Sequence, residues 1–288
     1  MDRICRFFIV CLLCSVFSVA SAGTTSDYLE IGKMIDAVSM ENLTKVVFDL
    51  QENRDIDTPG RLYKSRYCLR VSDTSDPSDG ACDNAADYIF NKFKSYGLKV
   101  EYDTFVHEVK KQGNYRMRNV VATLPGKGSD RDKSYILCAH YDSTAGLSAG
   151  WMWNWKALPA PGADDNASGI AAVLEIARIL SGYNFNFTIK FIAFSGEELG
   201  MFGSKHYAMV AAALKHQIAG VINLDMIAYD PDTPDIDIVS NDDSQWLANA
   251  IYRTGKEYGI DLNADRFVDP KMTDSDHSPF WKSGYSAV

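Results

Sequence analysis

Three strand candidates in this chain, Tyr135–Ala139, Phe187–Phe194 and Val221–Leu224, carry apolar runs rather than apolar/polar alternation, and each leads straight into histidine or acidic residues. A strand with one face in water alternates, whereas an apolar run needs cover on both faces. Helices on either side of a largely parallel sheet provide that cover. Further strands are expected at Val100–Val106, Asn119–Leu124 and Ile236–Val239. Between them lie helical patterns. Ser39 caps a helix carrying Leu43, Val46, Val47 and Leu50, and a second, Asp83–Tyr96, puts Ala86, Ile89, Phe90 and Phe93 on one face and stops at Gly97. Others are expected at Ser168–Leu180, Ser204–Lys215 and Ser244–Tyr258. The pattern predicts one α/β domain, a three-layer α/β/α arrangement with a central mixed, mostly parallel twisted sheet. At 288 residues and 46% hydrophobic content the chain has material for such a core.

The net charge of −9, with no Lys/Arg run longer than a pair, argues against nucleic acid or an anionic membrane as a partner, and a monomer is expected. The chain opens with Arg3 and Arg6, an apolar run from Phe7 to Val19 and then Ala20-Ser21-Ala22, the pattern of a cleaved export signal over residues 1–22. That run falls short of the ~20 residues of a spanning helix. The expectation is a secreted or periplasmic protein whose domain is 23–288. Cys5, Cys11 and Cys14 leave with the signal. Cys68 and Cys82 flank a Ser/Asp/Pro/Gly-rich loop that an oxidising compartment lets them close, and Cys138 reads as a core thiol. Trp151, Trp153 and Trp155 lie in the irregular stretch Thr144–Gly162, either walling a pocket or packing their own loop. His107, His206 and His216 have no supporting neighbours and read as surface residues.

The chemistry collects at strand ends. ILCAH ends in His140 with Asp142 two residues on, FIAFSGEE ends in Glu197 and Glu198, VINLD ends in Asp225, and PGADDNASG precedes a helix. In open α/β sheets, ligands bind outside the carboxyl ends of the strands, so these groups should converge. Singly they are unremarkable: Asp164, Asp165 and Asn166 read as a helix cap, Glu197-Glu198 as a solvated turn, His140 as a core imidazole. Asp225, flanked by apolar residues, must be paired or coordinated once buried. Gathered together, the carboxylates repel one another, and no Lys/Arg run lies nearby to offset them. Two divalent cations balance Asp165, Glu198 and Asp225 together with one hydroxide, and an N/O ligand set suits zinc.

The segments AHYDST, PGADDNASGIAAVLEIAR, FIAFSGEELGMFGSKHY, NLDMIAYD and SDHSPFWKSGY, in this order and spacing, resemble the zinc aminopeptidases of peptidase family M-twenty-eight, typified by secreted bacterial leucyl aminopeptidases. The resemblance spans roughly Asn84 to the end. It implies a metallo-aminopeptidase that removes N-terminal residues from peptides with two co-catalytic zinc ions. His140 and Asp225 would hold one zinc, Glu198 would belong to the other, Asp165 would bridge, and Glu197 would be the general base. Asp142 would orient His140, and His277 would stand near the site as an outer or substrate-side group. The choice of Asp165 over Asp164, and of Glu197 over Glu198 as base, rests on the resemblance alone. The resemblance also implies one more histidine ligand beyond the SDH motif, so the sequence is expected to be a fragment incomplete at its C-terminus. Two alternatives stand beside this reading: a single-zinc glutaminyl-peptide cyclotransferase of the same fold, against which His140 argues, and a non-catalytic binding domain.

Overall fold

The computed structural model describes residues 25–54, 63–68, 81–109, 113–155, 157–229, 235–260 and 263–288. The expected export segment lies outside them, as does most of the loop between Cys68 and Cys82. Helices α1 (Thr25–Asp36) and α2 (Met40–Glu52) come first. The Ser39 hydroxyl accepts the Asn42 amide at 3.2 Å to start α2, and Asn53, with φ of 40°, ends it. Leu43, Val46 and Leu50 point inward, as their spacing requires.

Helix α3 (Ala81–Ser95) leads into an antiparallel hairpin, β1 (Lys99–Val109) and β2 (Gly113–Leu124), longer than the sequence pattern suggested. Then come β3 (Lys133–His140), the short α4 (Trp151–Asn154), an irregular turn at 163–168 and α5 (Gly169–Leu180). Strand β4 (Thr188–Phe194), α6 (Phe202–Ala213) and β5 (Gln217–Asn223) complete the main sheet. Strand β6 (Asp237–Ser240), α7 (Gln245–Glu257), β7 (Asp265–Val268) and α8 (His277–Lys282) follow.

The main sheet runs β1-β2-β4-β3-β5. Its β4-β3-β5 part is parallel, and β2 joins β4 antiparallel. Residues Ser286–Val288 lie beside β5, with the Val221 amide donating to the Ser286 carbonyl and the Val288 amide to the Val221 carbonyl, both at 3.0 Å. Strands β6 and β7 form a separate parallel pair.

The apolar runs are explained by two cores. Leu137 and Ala139 of β3, Phe191 and Ala193 of β4 and Ile222 of β5 pack with α2, α3, α5 and α7. Their neighbours Ile136, Cys138, Ile192, Phe194 and Val221 pack on the other face with Ala208 of α6 and Phe280 of α8. Successive side chains point to opposite faces, so an apolar residue is needed at every position. Cys138 is a free, buried thiol in the second core.

Helix α5 is buried at every position except Arg178, including at Glu175. The Glu175 carboxylate accepts the Ser39 amide at 2.8 Å, the Asn42 side-chain amide at 3.2 Å and the Arg178 guanidinium at 2.7 and 2.9 Å. A buried carboxylate is tolerable when its lone pairs are met in this way, and these bonds tie the start of α2 to the central helix. Cys68 and Cys82 are joined as a disulfide, their Cα atoms 5.0 Å apart.

Candidate metal centre

His140 closes β3 with its ring buried. Its Nε2 lies 3.1 Å from Asp165 Oδ1 and 3.4 Å from Asp225 Oδ1, and the ligand atoms of the three residues all fall within 4.8 Å of one another. Asp225 follows β5 and is steered by Ser275, whose hydroxyl donates to its Oδ2 at 2.5 Å and accepts from Asn223 Nδ2 at 2.8 Å. Asp165 is set by the turn around it. Asn166 Nδ2 donates to the Leu224 carbonyl at 2.8 Å, and Asn166 Oδ1 accepts the Gly169 amide at 2.9 Å. Gly169 has no room for a side chain, since a Cβ there would lie 2.4 Å from the Leu224 carbonyl oxygen.

The structure separates Asp164 from Asp165, which spacing could not. Asp164 Oδ1 accepts the Ala228 amide at 2.8 Å and so ties down the loop after β5, while Asp165 faces His140. The other acidic pair hangs from Asp142, a fully buried carboxylate whose two oxygens accept the Glu197 amide at 3.1 Å and the Glu198 amide at 3.2 Å. The resemblance has Asp142 accept the second N–H of His140. Asp142 lies 3.5 Å from His140 Nδ1, an ion-pair distance beyond a good hydrogen bond, and the hydrogen bonds its carboxylate makes go to the glutamate turn.

A cation stands beside this cluster after all, brought from far upstream. Arg66 is fully buried, and its guanidinium donates to four carbonyls, of Leu50, Tyr141, Pro161 and Gly162, at 2.6 to 3.0 Å. Burial lowers its pKa to about 10, against the pull of Asp142, Asp165 and Glu198, so it is charged at neutral pH. Its amide also donates to Ser143 Oγ at 2.9 Å, so Arg66 brackets Asp142 through both neighbours, Tyr141 and Ser143.

One buried guanidinium does not neutralise this much acid. Burial raises the Glu197 carboxyl to about 9, with His140 opposing and Asp276, Asp142 and Asp225 adding to the rise. Burial and the Asp142 and Asp165 charges raise Glu198 to about 8. Burial works against a charge on His140, yet the three aspartates around it outweigh burial and hold its pKa well above the ordinary value. Burial opposes ionisation of Asp225 too, but contact with His140 keeps its pKa below the usual carboxylate value.

Among the described residues, Glu198 Oε1 and Asp225 Oδ1 are buried with no hydrogen-bond partner. Such orphaned oxygens cost about 1–3 kcal/mol each. They are the lone pairs a divalent cation takes, and an imidazole nitrogen among carboxylate oxygens is a zinc donor set. The residues present therefore fit zinc. Among the described residues, the one group close enough to share an ion is His140, Asp165 and Asp225, and Glu198 stands outside it.

The remaining candidates fall elsewhere. His277 starts α8, its Nε2 2.9 Å from the Met272 carbonyl and its ring edge-on to Trp281 at 4.5 Å. Trp151 is buried with Tyr67 and Ala160, Trp155 packs on Tyr67 at 5.4 Å, and Trp153 is 93% exposed. The first two thus join their own loop to Tyr67 of the upstream segment, and Leu199, next to Glu198, rests on the same cluster. His206 meets Asp103 at 3.2 Å rather than water alone, and its ring stacks on Phe105.

Two neighbours of the site went unread in the sequence. Arg66 carries no local signal, being one arginine in an irregular segment. Asp276 is fully buried, takes a hydrogen bond from the Ser204 hydroxyl, and is pushed by burial to about 7. Its signal was its place inside the SDH segment.

Peptidase family M28 matches residues 119–288, more than half of the chain. A probable zinc metalloprotease of Pyrenophora teres is 42% identical over 211 residues, covering 68% of this chain and 43% of that protein. One from Pyricularia oryzae is 34% identical over 173 residues, 57% of this chain and 33% of its own. The chain thus spans less than half the length of these fungal relatives. In fold it is similar to the LapA aminopeptidase of Legionella pneumophila, with TM-score 0.66 and 18% identity over 94% of this chain and 66% of that one. It is similarly close to the glutaminyl cyclase of Fimbriiglobus ruber, with TM-score 0.64 and 22% identity over 87% and 83% of the two chains. On this match, with histidine and carboxylates gathered at the carboxyl ends of its parallel strands in a set that fits zinc, the chain belongs to peptidase family M28.

Proposed function

We propose that this chain is an aminopeptidase that uses two zinc ions to hydrolyse the first peptide bond of exported or extracellular peptides. The observation that carries the reading is the meeting of His140, Asp165 and Asp225 within 4.8 Å, with Glu197 and Glu198 held beside them by Asp142. His140 and Asp225 would hold one zinc, Glu198 would hold the other, and Asp165 would lie between. Bound zinc supplies Lewis acidity toward the scissile carbonyl and toward water.

The proton work falls to Glu197. Burial raises its carboxyl to about 9 in the metal-free protein, and bound zinc would lower it, leaving a carboxylate basic enough to take a proton from attacking water and hand it to the leaving amine. Asp142 fixes the amides on either side of that carboxylate's backbone, and Arg66 contributes a permanent positive charge to the acidic cluster. The Cys68–Cys82 disulfide supports an oxidising compartment, in line with an export signal at residues 1–22.

A single-zinc cyclotransferase is the second reading, favoured by the one three-residue ligand group that the described residues assemble. Zinc content of the full-length protein, with turnover of leucine para-nitroanilide and of an N-terminal glutaminyl peptide, separates the two. Two zinc ions and anilide cleavage support the aminopeptidase. One zinc with cyclisation supports the alternative, and a protein that binds no zinc refutes both and leaves a binding domain.

A further inference from the structure

The turn that carries both glutamates is fastened at a second point, away from Asp142. Strand β2 pairs with β4 up to Val120 opposite Ala193, and the ladder stops there. Asn119 is the next residue, fully buried, and its side chain takes over from the ladder. Its Oδ1 accepts the Ser195 amide at 3.1 Å and the Ser195 hydroxyl at 3.3 Å. Its Nδ2 donates to the Gly203 carbonyl at 3.1 Å and to Asp103 Oδ2 at 2.9 Å. The Gly203 amide in turn donates to the Ser195 carbonyl at 2.9 Å, so both ends of the segment 195–203 meet at this one amide. Gly203 admits no side chain, because a Cβ would stand 2.3 Å from Asn119 Oδ1. Asp103, directly across the β1–β2 ladder, is anchored from outside by His206 of α6 at 3.2 Å.

The amide has one workable orientation. Oδ1 faces a backbone N–H, and Nδ2 faces a carbonyl and a carboxylate, so a flipped side chain would set donor against donor and acceptor against acceptor. We infer that Asn119 is a positioning residue for the Glu197–Glu198 turn, with the Asp103–His206 pair as its outer anchor. The inference rests on the roles proposed above for those two glutamates, and it touches neither substrate nor metal directly. The β1–β2 hairpin and α6 thereby take part in the site although they contribute no ligand.

The test is Asn119→Asp, which preserves shape and the acceptor but turns an oxygen toward Asp103 and the Gly203 carbonyl. Hydrogen–deuterium exchange of the peptide covering Ser195–Gly203 is compared in the full chain, with and without added zinc. The expected result is exchange faster by roughly tenfold in that peptide, with the strands of the parallel sheet unchanged. Zinc affinity, read by chelator competition without substrate, should weaken about 10–100-fold.

Asp103→Ala removes the outer anchor at a partly exposed position and should show the same change in smaller measure. Asp103→Asn keeps an acceptor for Asn119 and should exchange like wild type. Wild-type exchange at 195–203 in Asp103→Ala, or acceleration spread evenly over the sheet in Asn119→Asp, overturns the inference. The exchange reading stands whether or not the wild-type protein cleaves leucine anilide, so failure of the aminopeptidase reading is seen separately in the wild type.

Discussion

Replacing Asp142 by asparagine tests the site at its most heavily used carboxylate. The aspartate accepts two backbone amides, at 3.1 and 3.2 Å, and presents its charge to His140 Nδ1 at 3.5 Å. Asparagine has one acceptor oxygen, so one glutamate amide keeps a partner and the other meets an N–H. A hydrogen bond to a charged group contributes about 1.5–3 kcal/mol, and loss of one of the two predicts a deficit near 2 kcal/mol. The opposing effect is that a neutral amide is cheaper to bury than a carboxylate. Global stability therefore moves less than the local deficit, and the deficit is felt where the turn must hold its glutamates in place. At 1.36 kcal/mol per factor of ten, 2 kcal/mol is about 30-fold in zinc affinity. Chelator competition measures it, with urea unfolding of the same sample as the control. Zinc affinity within twofold of wild type, in a protein of unchanged stability, would refute the idea that Asp142 works through the turn.

Three further outcomes are expected. Glu197→Gln should retain its zinc while the rate on leucine para-nitroanilide drops by about 10²–10⁴, the usual worth of a positioned general base; a variant near wild-type rate would remove Glu197 from that role. In protein dialysed against chelator, Glu197 and Glu198, raised to about 9 and 8, and Asp276, raised to about 7, bind more protons folded than unfolded. That contribution is complete below pH ~4 and is lost as pH rises through those values, so the melting temperature should fall between about pH 5 and 9 and added zinc should flatten the fall; a rising curve would contradict it. Trp151→Ala should cost about 3–5 kcal/mol in urea unfolding, whereas Trp153→Ala at 93% exposure should stay within roughly 0.5 kcal/mol, and equal losses would contradict the packing described.

What was legible in the sequence follows from what is local. The runs around Leu137, Phe191 and Ile222 declared a sheet covered on both faces, and the residues after them declared where its chemistry lies, because strand ends are where an α/β sheet exposes its loops. The Ser39 cap was readable for the same reason. Partners set by tertiary contact were not. Asp164 differs from Asp165 only because the Ala228 amide, 64 residues away, takes the first. Arg66 reaches the site across 75 residues to the Tyr141 carbonyl. Helix α1 and strand β7 went unpredicted, the latter because its residues are all exposed and carry no burial pattern.

The setting of Arg66 bears on how the site responds to ionic strength. Its guanidinium bonds to carbonyl oxygens and not to any one carboxylate, so its field is shared among the acids around it rather than spent on a single pair. It is also sealed from solvent, and mobile ions screen such charges far less than exposed ones. The acid–base behaviour of the cluster should thus hold nearly constant across salt concentrations that strip the surface pairs, such as Lys45 with Asp49, of their attraction. The field that Arg66 lends the site would be nearly the same in dilute medium and in brine.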